Sequence, residues 1–156
     1  IANSFGPFQI ALKNQGVIAA LISRGLSAER MEIWGDGSVV RDFIFVDDVV
    51  DALEAAIVDQ GSERIFNIGS GEGRSLRDVI AAVERLLGME VRIQWKPGRP
   101  LDVPVSVVAI DRARESLAWA PKTSFKTGLE RTIEWASQTH SNCRKGLPIV
   151  ISVTPR

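Results

Sequence analysis

Between Ser75 and Gly88 the chain reads SLRDVIAAVERLLG, and no other stretch limits the fold as much. Leu76, Val79, Ile80, Val83, Leu86 and Leu87 recur at intervals of three and four, so on a helix they form one apolar stripe. Ser75 with Asp78 three residues on resembles a capping box, and Gly88 suits a left-handed stop. A helix that is apolar on one side must be covered there by a second layer. Just upstream, Arg64 to Ile68 is a short apolar run that reads as a strand, followed by the glycine-rich turn GSGEGR. Strand, turn and helix in that order predict an α/β chain.

The remaining segments fit that class. Gly16 to Gly25 predicts a short helix with Val17, Ile18, Leu21 and Ile22 inward, and Met31 to Trp34 a strand. Gly35-Asp36-Gly37-Ser38 is a turn by its residue types, and Phe43 to Val46 is a second strand candidate. Asp47 is placed to cap a helix running to about Val58, with Val49, Val50, Leu53, Ala56 and Ile57 on one face. Val91 to Trp95 reads as a strand, and Lys96 to Pro104 as a loop pinned by prolines. Asp111 caps a short helix through Leu117, and the last helix starts near Ser124 with Leu129, Ile133 and Ala136 inward. After about Gln138 the character changes, so residues 137–156 are expected to form a tail, with Ile149 to Val153 either an edge strand or loose chain.

Lysine plus arginine and aspartate plus glutamate number 19 each among 156 residues, so there is no basic field to draw nucleic acid or anionic lipid. The longest early apolar run, Val17 to Ile22, is far too short to span a membrane, and no secretory signal is visible. Cys143 is the single cysteine, which excludes an internal disulfide and is compatible with a reducing cytoplasm, the expected compartment. His140 and Cys143 lack the third partner that a nucleophilic or metal site needs.

The glycine turn raises the question of a dinucleotide site, because a strand feeding a glycine loop at a helix N-terminus can cradle a pyrophosphate. Counting G-x-G-x-x-G from Gly69 and Gly71 places Arg74 at the third glycine. The acidic residue that should hold the ribose is missing from the end of the next strand, where Trp95-Lys96 stands; Glu90 is at its start. Gly35-x-Gly37 fails similarly, with Val40 in the last place. The expected role of the Gly69 to Gly73 turn is therefore to deliver the chain to the Ser75-capped helix, not to bind NAD.

Six stretches in order carry a family likeness: Ala2-Asn3-Ser4-Phe5-Gly6-Pro7, Gly16-Val17-Ile18, IWGDGSVVRDFIFVDDVVDAL from Ile33, FNIGSG from Phe66, PGRPLDV from Pro97 and GLERTIEW from Gly128. Together they resemble the second half of the extended short-chain dehydrogenase/reductase family, the NAD-dependent nucleotide-sugar epimerases and dehydratases. The resemblance covers residues 1–136. It implies the C-terminal part of that fold: the last strands and a helix of the Rossmann sheet, with remnants near 1–4 and 43–68, plus the small substrate-binding domain. It implies NAD as cofactor of the complete enzyme, and a nucleotide-diphosphate sugar, a UDP-sugar favoured, as the ligand held by this portion.

In the family the glycine fingerprint and the catalytic Tyr-x-x-x-Lys pair lie in the first half. Here there is no tyrosine at all, and the chain opens on Ile1 within a motif, so a preceding segment is expected to be missing and this chain alone to be inactive. Phe5 stands where the family has tyrosine before Gly-Pro.

The resemblance also implies roles for single residues. Arg41 matches an arginine on the diphosphate, where a planar fork suits phosphate oxygens; on residue type alone it is a surface arginine paired with Asp42. Arg99, between Pro97 and Pro100, matches a second phosphate ligand. Asp102 matches an acid accepting from ribose hydroxyls, or is a solvated carboxylate. Trp34 matches the position beside the base, or is a core residue at a strand end. Val17 matches an apolar floor near the nucleotide, and Asn3 an asparagine that reaches the substrate near the diphosphate, or a turn former. Val50, Leu53, Ile57, Ile65, Phe66 and Ile68 are expected to lack cover in this chain alone and to drive self-association.

Overall fold

The structure, a computed structural model, describes residues 1–10, 16–99 and 102–144, with side chains described as far as Ser141. Its elements are β1 (Asn3–Phe5), α1 (Val17–Ser27), β2 (Met31–Trp34), β3 (Val40–Phe45), α2 (Val46–Val58), β4 (Gly73–Ser75), α3 (Leu76–Leu87), β5 (Ile93–Lys96), β6 (Val105–Ser106), α4 (Asp111–Ser116) and α5 (Phe125–Arg144).

β3 organises the molecule. Its first half pairs antiparallel with β4 and parallel with β6, and its second half pairs parallel with β1, Asn3 opposite Phe43 and Phe5 opposite Phe45. Strand alternation sends Phe43 and Phe45 to one side and Asp42 and Ile44 to the other, and all four are buried. Phe43 and Phe45 join Phe5, Ile18, Leu21, Ile22, Val79, Val83 and Leu129 in a first core under α1, α3 and α5. Ile44 joins Val49, Ala52, Ile68, Ala113, Leu117 and Trp119 in a second core under α2 and α4. β2 and β5 form a separate parallel pair, Trp34 opposite Lys96.

The stripe of α3 is where the sequence puts it. Val79 and Val83 are fully buried, and Gly88 ends the helix at φ +69° with its N–H on the Glu84 carbonyl. The capping box forms as expected: Asp78 N–H donates to Ser75 Oγ at 3.1 Å, and Ser75 N–H to Asp78 Oδ2 at 3.2 Å. The Ser75 hydroxyl, then its N–H, holds the Asp78 carboxyl below the ordinary value of 3.8. Because the folded value lies under the unfolded one, this contribution is present above pH 3.8 and is lost as pH falls through the folded value. Ser75→Ala is expected to lower the melting temperature at neutral pH and to flatten its acid-side decline, read by a thermal melt series across acidic pH.

Several expectations are corrected. Arg64 to Ile68 is not a strand: its one main-chain bond toward β1 is Ala2 N–H to the Ile68 carbonyl at 2.7 Å, and the neighbouring β1 is only three residues long, too short to pair along the whole run. Helix α2 begins directly at Val46 with Phe45 as N-cap and no side-chain cap. Asp47 sits in its first turn, where Arg131 Nη2 reaches its carboxylate at 2.9 Å. Likewise α4 is preceded by Ile110, with Asp111 inside the first turn. β5 spans Ile93–Lys96 rather than starting at Val91, whose N–H goes instead to Glu84 Oε1 at 2.9 Å. Ser124 does begin α5, its Oγ accepting from Thr127 N–H at 3.1 Å, but the helix continues to Arg144, past the expected start of the tail. The reading of Ile149 to Val153 lies outside the described residues.

The expected bare surface divides. Phe66 and Ile68 are covered by the second core, whereas Val50 at 40%, Leu53 at 50%, Ile57 at 81% and Ile65 at 75% remain exposed. Among the described residues no helix is long and apolar enough to cross a membrane.

Candidate functional site

Four of the six expected site residues meet along one edge. β2 ends at Trp34, the turn from Gly35 to Val39 follows, and β3 brings Arg41. In that turn the Ser38 hydroxyl and N–H hold the Asp36 carboxyl below its ordinary value, the N–H donating to Oδ1 at 2.9 Å. The chain after β5 returns alongside and is fastened at both ends, Gly35 N–H to the Lys96 carbonyl at 3.0 Å and Val40 N–H to the Pro104 carbonyl at 2.8 Å.

Between these fastenings, Arg41 Nη1 donates to the Val103 carbonyl at 2.7 Å and to the Val40 carbonyl at 2.8 Å. These two bonds use one of the three guanidinium nitrogens. The Arg99 guanidinium lies 4.3 Å from the centre of the Trp34 ring, a cation–π arrangement, and Asp102 N–H donates to the Arg99 carbonyl at 3.1 Å. Trp34, Arg99 and Asp102 are exposed. The edge therefore presents an aromatic face, two guanidinium groups and a carboxylate to solvent, donors suited to an anion beside a flat ring.

Asn3 is on β1, and its Nδ2 donates to the Asp42 carbonyl at 2.8 Å, next to Arg41 along the chain. Val17 opens α1 and packs against the first core, so its side chain is committed to packing.

Asp42 does not pair with Arg41. It is buried on the opposite face of β3, where Oδ1 accepts from Ser70 N–H at 2.8 Å and Ser70 Oγ at 2.6 Å, and Oδ2 from Gly71 N–H at 3.1 Å and Val108 N–H at 3.4 Å. The glycine turn is thus an anion cradle whose anion is a carboxylate of the same chain. Its Ser70 and Gly71 N–H donors are already engaged by Asp42, so the turn does not fit a dinucleotide pyrophosphate. Asp48 works similarly: it is buried, and its carboxylate accepts from Lys122 and Thr123 N–H at 2.9 to 3.3 Å, tying that segment to α2. Sequence reasoning passed over both acids. The available signal was a carboxylate inside or abutting an apolar run, where burial demands hydrogen-bond partners.

A recess of about 330 Å³ opens elsewhere, floored by Phe5, Phe43, Phe45 and Phe125 and holding none of the six residues. Its polar walls are already paired, Arg74 with Glu72 at 2.6 Å and Lys122 with Asp51 at 3.2 Å, so the edge at Trp34 and Arg41 is the better site. Among the described residues no group of three His, Cys, Asp or Glu could hold a metal ion.

The pattern of the NAD dependent epimerase/dehydratase family matches residues 1–69. A UDP-glucose 4-epimerase of Mycolicibacterium smegmatis is 36% identical over 134 residues, 86% of this chain and 43% of that protein. A dTDP-4-dehydro-6-deoxy-D-allose reductase of Streptomyces bikiniensis is 33% identical over 134 residues, 85% of this chain and 40% of that protein. The crystal structure of the Thermotoga maritima UDP-glucose 4-epimerase with UDP-glucose superposes with a TM-score of 0.83 at 37% identity, over 89% of this chain and 45% of that one. The chain thus spans less than half the length of these relatives. Motifs, fold and relatives agree: the chain belongs to the NAD-dependent epimerase/dehydratase family.

Proposed function

We propose that this chain is the sugar-nucleotide-binding part of an NAD-dependent epimerase most like UDP-glucose 4-epimerase. The observation that carries the reading is the convergence of Arg41, Arg99, Asp102 and Trp34 on one edge, with the Arg41 guanidinium bonded to the Val103 carbonyl in the segment between Asp102 and β6. In this reading the two guanidinium groups clamp the diphosphate, Trp34 lies beside the base, Asp102 accepts from the ribose and Asn3 reaches the substrate near the diphosphate. Binding energy spent there orients the sugar for chemistry elsewhere. Composition supports that division, since the chain has no tyrosine to serve as a tyrosinate base. NAD belongs in this reading to the complete enzyme.

Calorimetric titration of the chain with UDP tests the proposal. Saturable binding is expected, with Arg41→Ala or Arg99→Ala each weakening it about tenfold to a hundredfold as charge-assisted bonds of roughly 1.5–3 kcal/mol are lost. Unchanged affinity in folded variants would overturn the assignment. The similar identity of a dTDP-sugar reductase favours, as second reading, a related reaction on the same scaffold; tighter binding of dTDP than UDP would select it. We infer also that the exposed face of α2 is covered by another polypeptide surface in the working protein, a second copy when the chain is alone.

A further inference from the structure

Beyond the residues proposed to touch the ligand, one buried residue of β3 bonds to segments on both sides of the site. We propose that Asp42 is a positioning residue: from the opposite face of β3 it fixes both Asn3 and the segment bearing Arg99 and Asp102 where they converge with Arg41. The inference rests on the proposed sugar-nucleotide site.

Three attachments meet at this residue. Its main-chain carbonyl accepts from Asn3 Nδ2 at 2.8 Å, which sets that side chain beside β3. Its carboxylate accepts from Val108 N–H at 3.4 Å, two residues after β6, and β6 pairs with Val40 and Arg41. Immediately before β6, Val103 receives the Arg41 guanidinium at 2.7 Å. The same carboxylate takes Ser70 N–H, Ser70 Oγ and Gly71 N–H, which anchors it to the glycine turn. The strand therefore carries its outward arginine and its inward clamp on consecutive residues.

The cradle has no room for another arrangement. A Cβ added at Gly69 would collide with Val108 Cγ2 and lie 2.5 Å from Asp42 Oδ2. The carboxylate is 1% exposed, beside an otherwise apolar core of Ile44, Ile68 and Ala113. An apolar side chain would suit that core as well for packing alone. What a carboxylate adds is a fixed joint between three backbone segments, the kind of support a ligand-binding edge requires.

Nitrogen-15 NMR on the folded chain, together with UDP calorimetry, tests this. Asp42→Asn replaces acceptor oxygen by an NH2 group that faces N–H donors, so one side of the cradle is lost. The expected result is a shifted, faster-exchanging signal from Arg41 Nε–H and, through displacement of the strand whose main-chain carbonyl it holds, from the Asn3 carboxamide, with an unmoved Trp135 indole signal and UDP binding weaker by about tenfold. A purely structural role would lower the melting temperature while leaving the Asn3 and Arg41 signals and the affinity of the folded fraction unchanged, and would overturn the proposal. Should Asp42→Asn not fold, Ser70→Ala removes the 2.6 Å bond to the carboxylate, together with the hydroxyl's bonds to the Glu72 carbonyl at 3.2 Å and from the Glu72 N–H at 3.1 Å, and should move the same signals in the same direction; unmoved signals there overturn it equally. Failure of the wild-type chain to bind UDP would remove the proposed function, and the Asn3 and Arg41 signals would still decide the positioning role.

Discussion

The purified chain is expected to self-associate with rising concentration, and Leu53→Asp with Ile57→Asp to return it to a monomer. Val50, Leu53 and Ile57 line one side of α2 at intervals of three and four, 40%, 50% and 81% exposed, with Ile65 at 75% exposed on the following segment. The adjoining side, Val49 and Ala52, already packs on the second core, so the face that the sequence groups as Val49, Val50, Leu53, Ala56 and Ile57 is covered only at its Val49 edge. Full burial of such side chains stabilises by roughly 1.5–3 kcal/mol each, so covering the four yields on the order of 5 kcal/mol after allowing for their partial burial. That is a large fraction of the roughly 5–15 kcal/mol that holds an ordinary domain together. Sedimentation velocity over a concentration series and binding of a hydrophobic dye read the effect. A dye-silent monomer for the unaltered chain at every concentration would overturn the inference that this face seeks a cover.

Phe45→Ala should cost about 3–5 kcal/mol, the largest loss expected from a single core truncation. The ring is 2% exposed, meets the Phe5 ring edge-on at 5.8 Å, and has the Arg131 guanidinium 4.6 Å from its centre. The aromatic group is also closely packed: a Cβ at Gly128 would lie 2.8 Å from Phe45 Cδ2 and 2.9 Å from Phe5 Cζ. The surroundings cannot collapse freely into the vacated volume, because β1, β3 and α5 each hold one wall. Gly128→Ala probes the same place in the other direction and should destabilise by about 1–3 kcal/mol through overpacking. Urea unfolding of the three proteins measures both; a loss under about 1 kcal/mol for Phe45→Ala would mean that the site relaxes far more than its packing implies.

The elements that sequence reading recovered best are those whose local chemistry and tertiary environment agree. α3 has its cap, its stripe and its glycine stop within fourteen residues, all of which the structure uses. Arg64 to Ile68 has strand chemistry, but a strand needs a neighbour of matching length and the adjacent β1 is three residues long. Asp47 and Asp111 have capping chemistry, yet each lies inside its helix because the chain enters directly from the preceding apolar residue. In the candidate site, Arg41, Arg99, Asp102 and Trp34 were legible through the order of motifs, not through any residue alone. Asp42 and Asp48 were not, because a buried carboxylate is recognised by donors 28 to 75 residues away along the chain.

The alternation along β3 has a consequence for what changes the strand can tolerate. Arg41 reaches outward to the Val103 carbonyl while Asp42 is sealed inward, so their roles differ by one position in the chain. Loss or gain of a single residue between Val40 and Phe45 would turn the strand over by half a pleat. A guanidinium would then be driven toward donors that already bear hydrogens, and a carboxylate would stand where the anion is to be received. The phenylalanines would change sides with them, exchanging the two cores' contents in the same step. Length variation in this molecule therefore belongs in its connections, while along the six residues of β3 the frame of reference cannot be shifted.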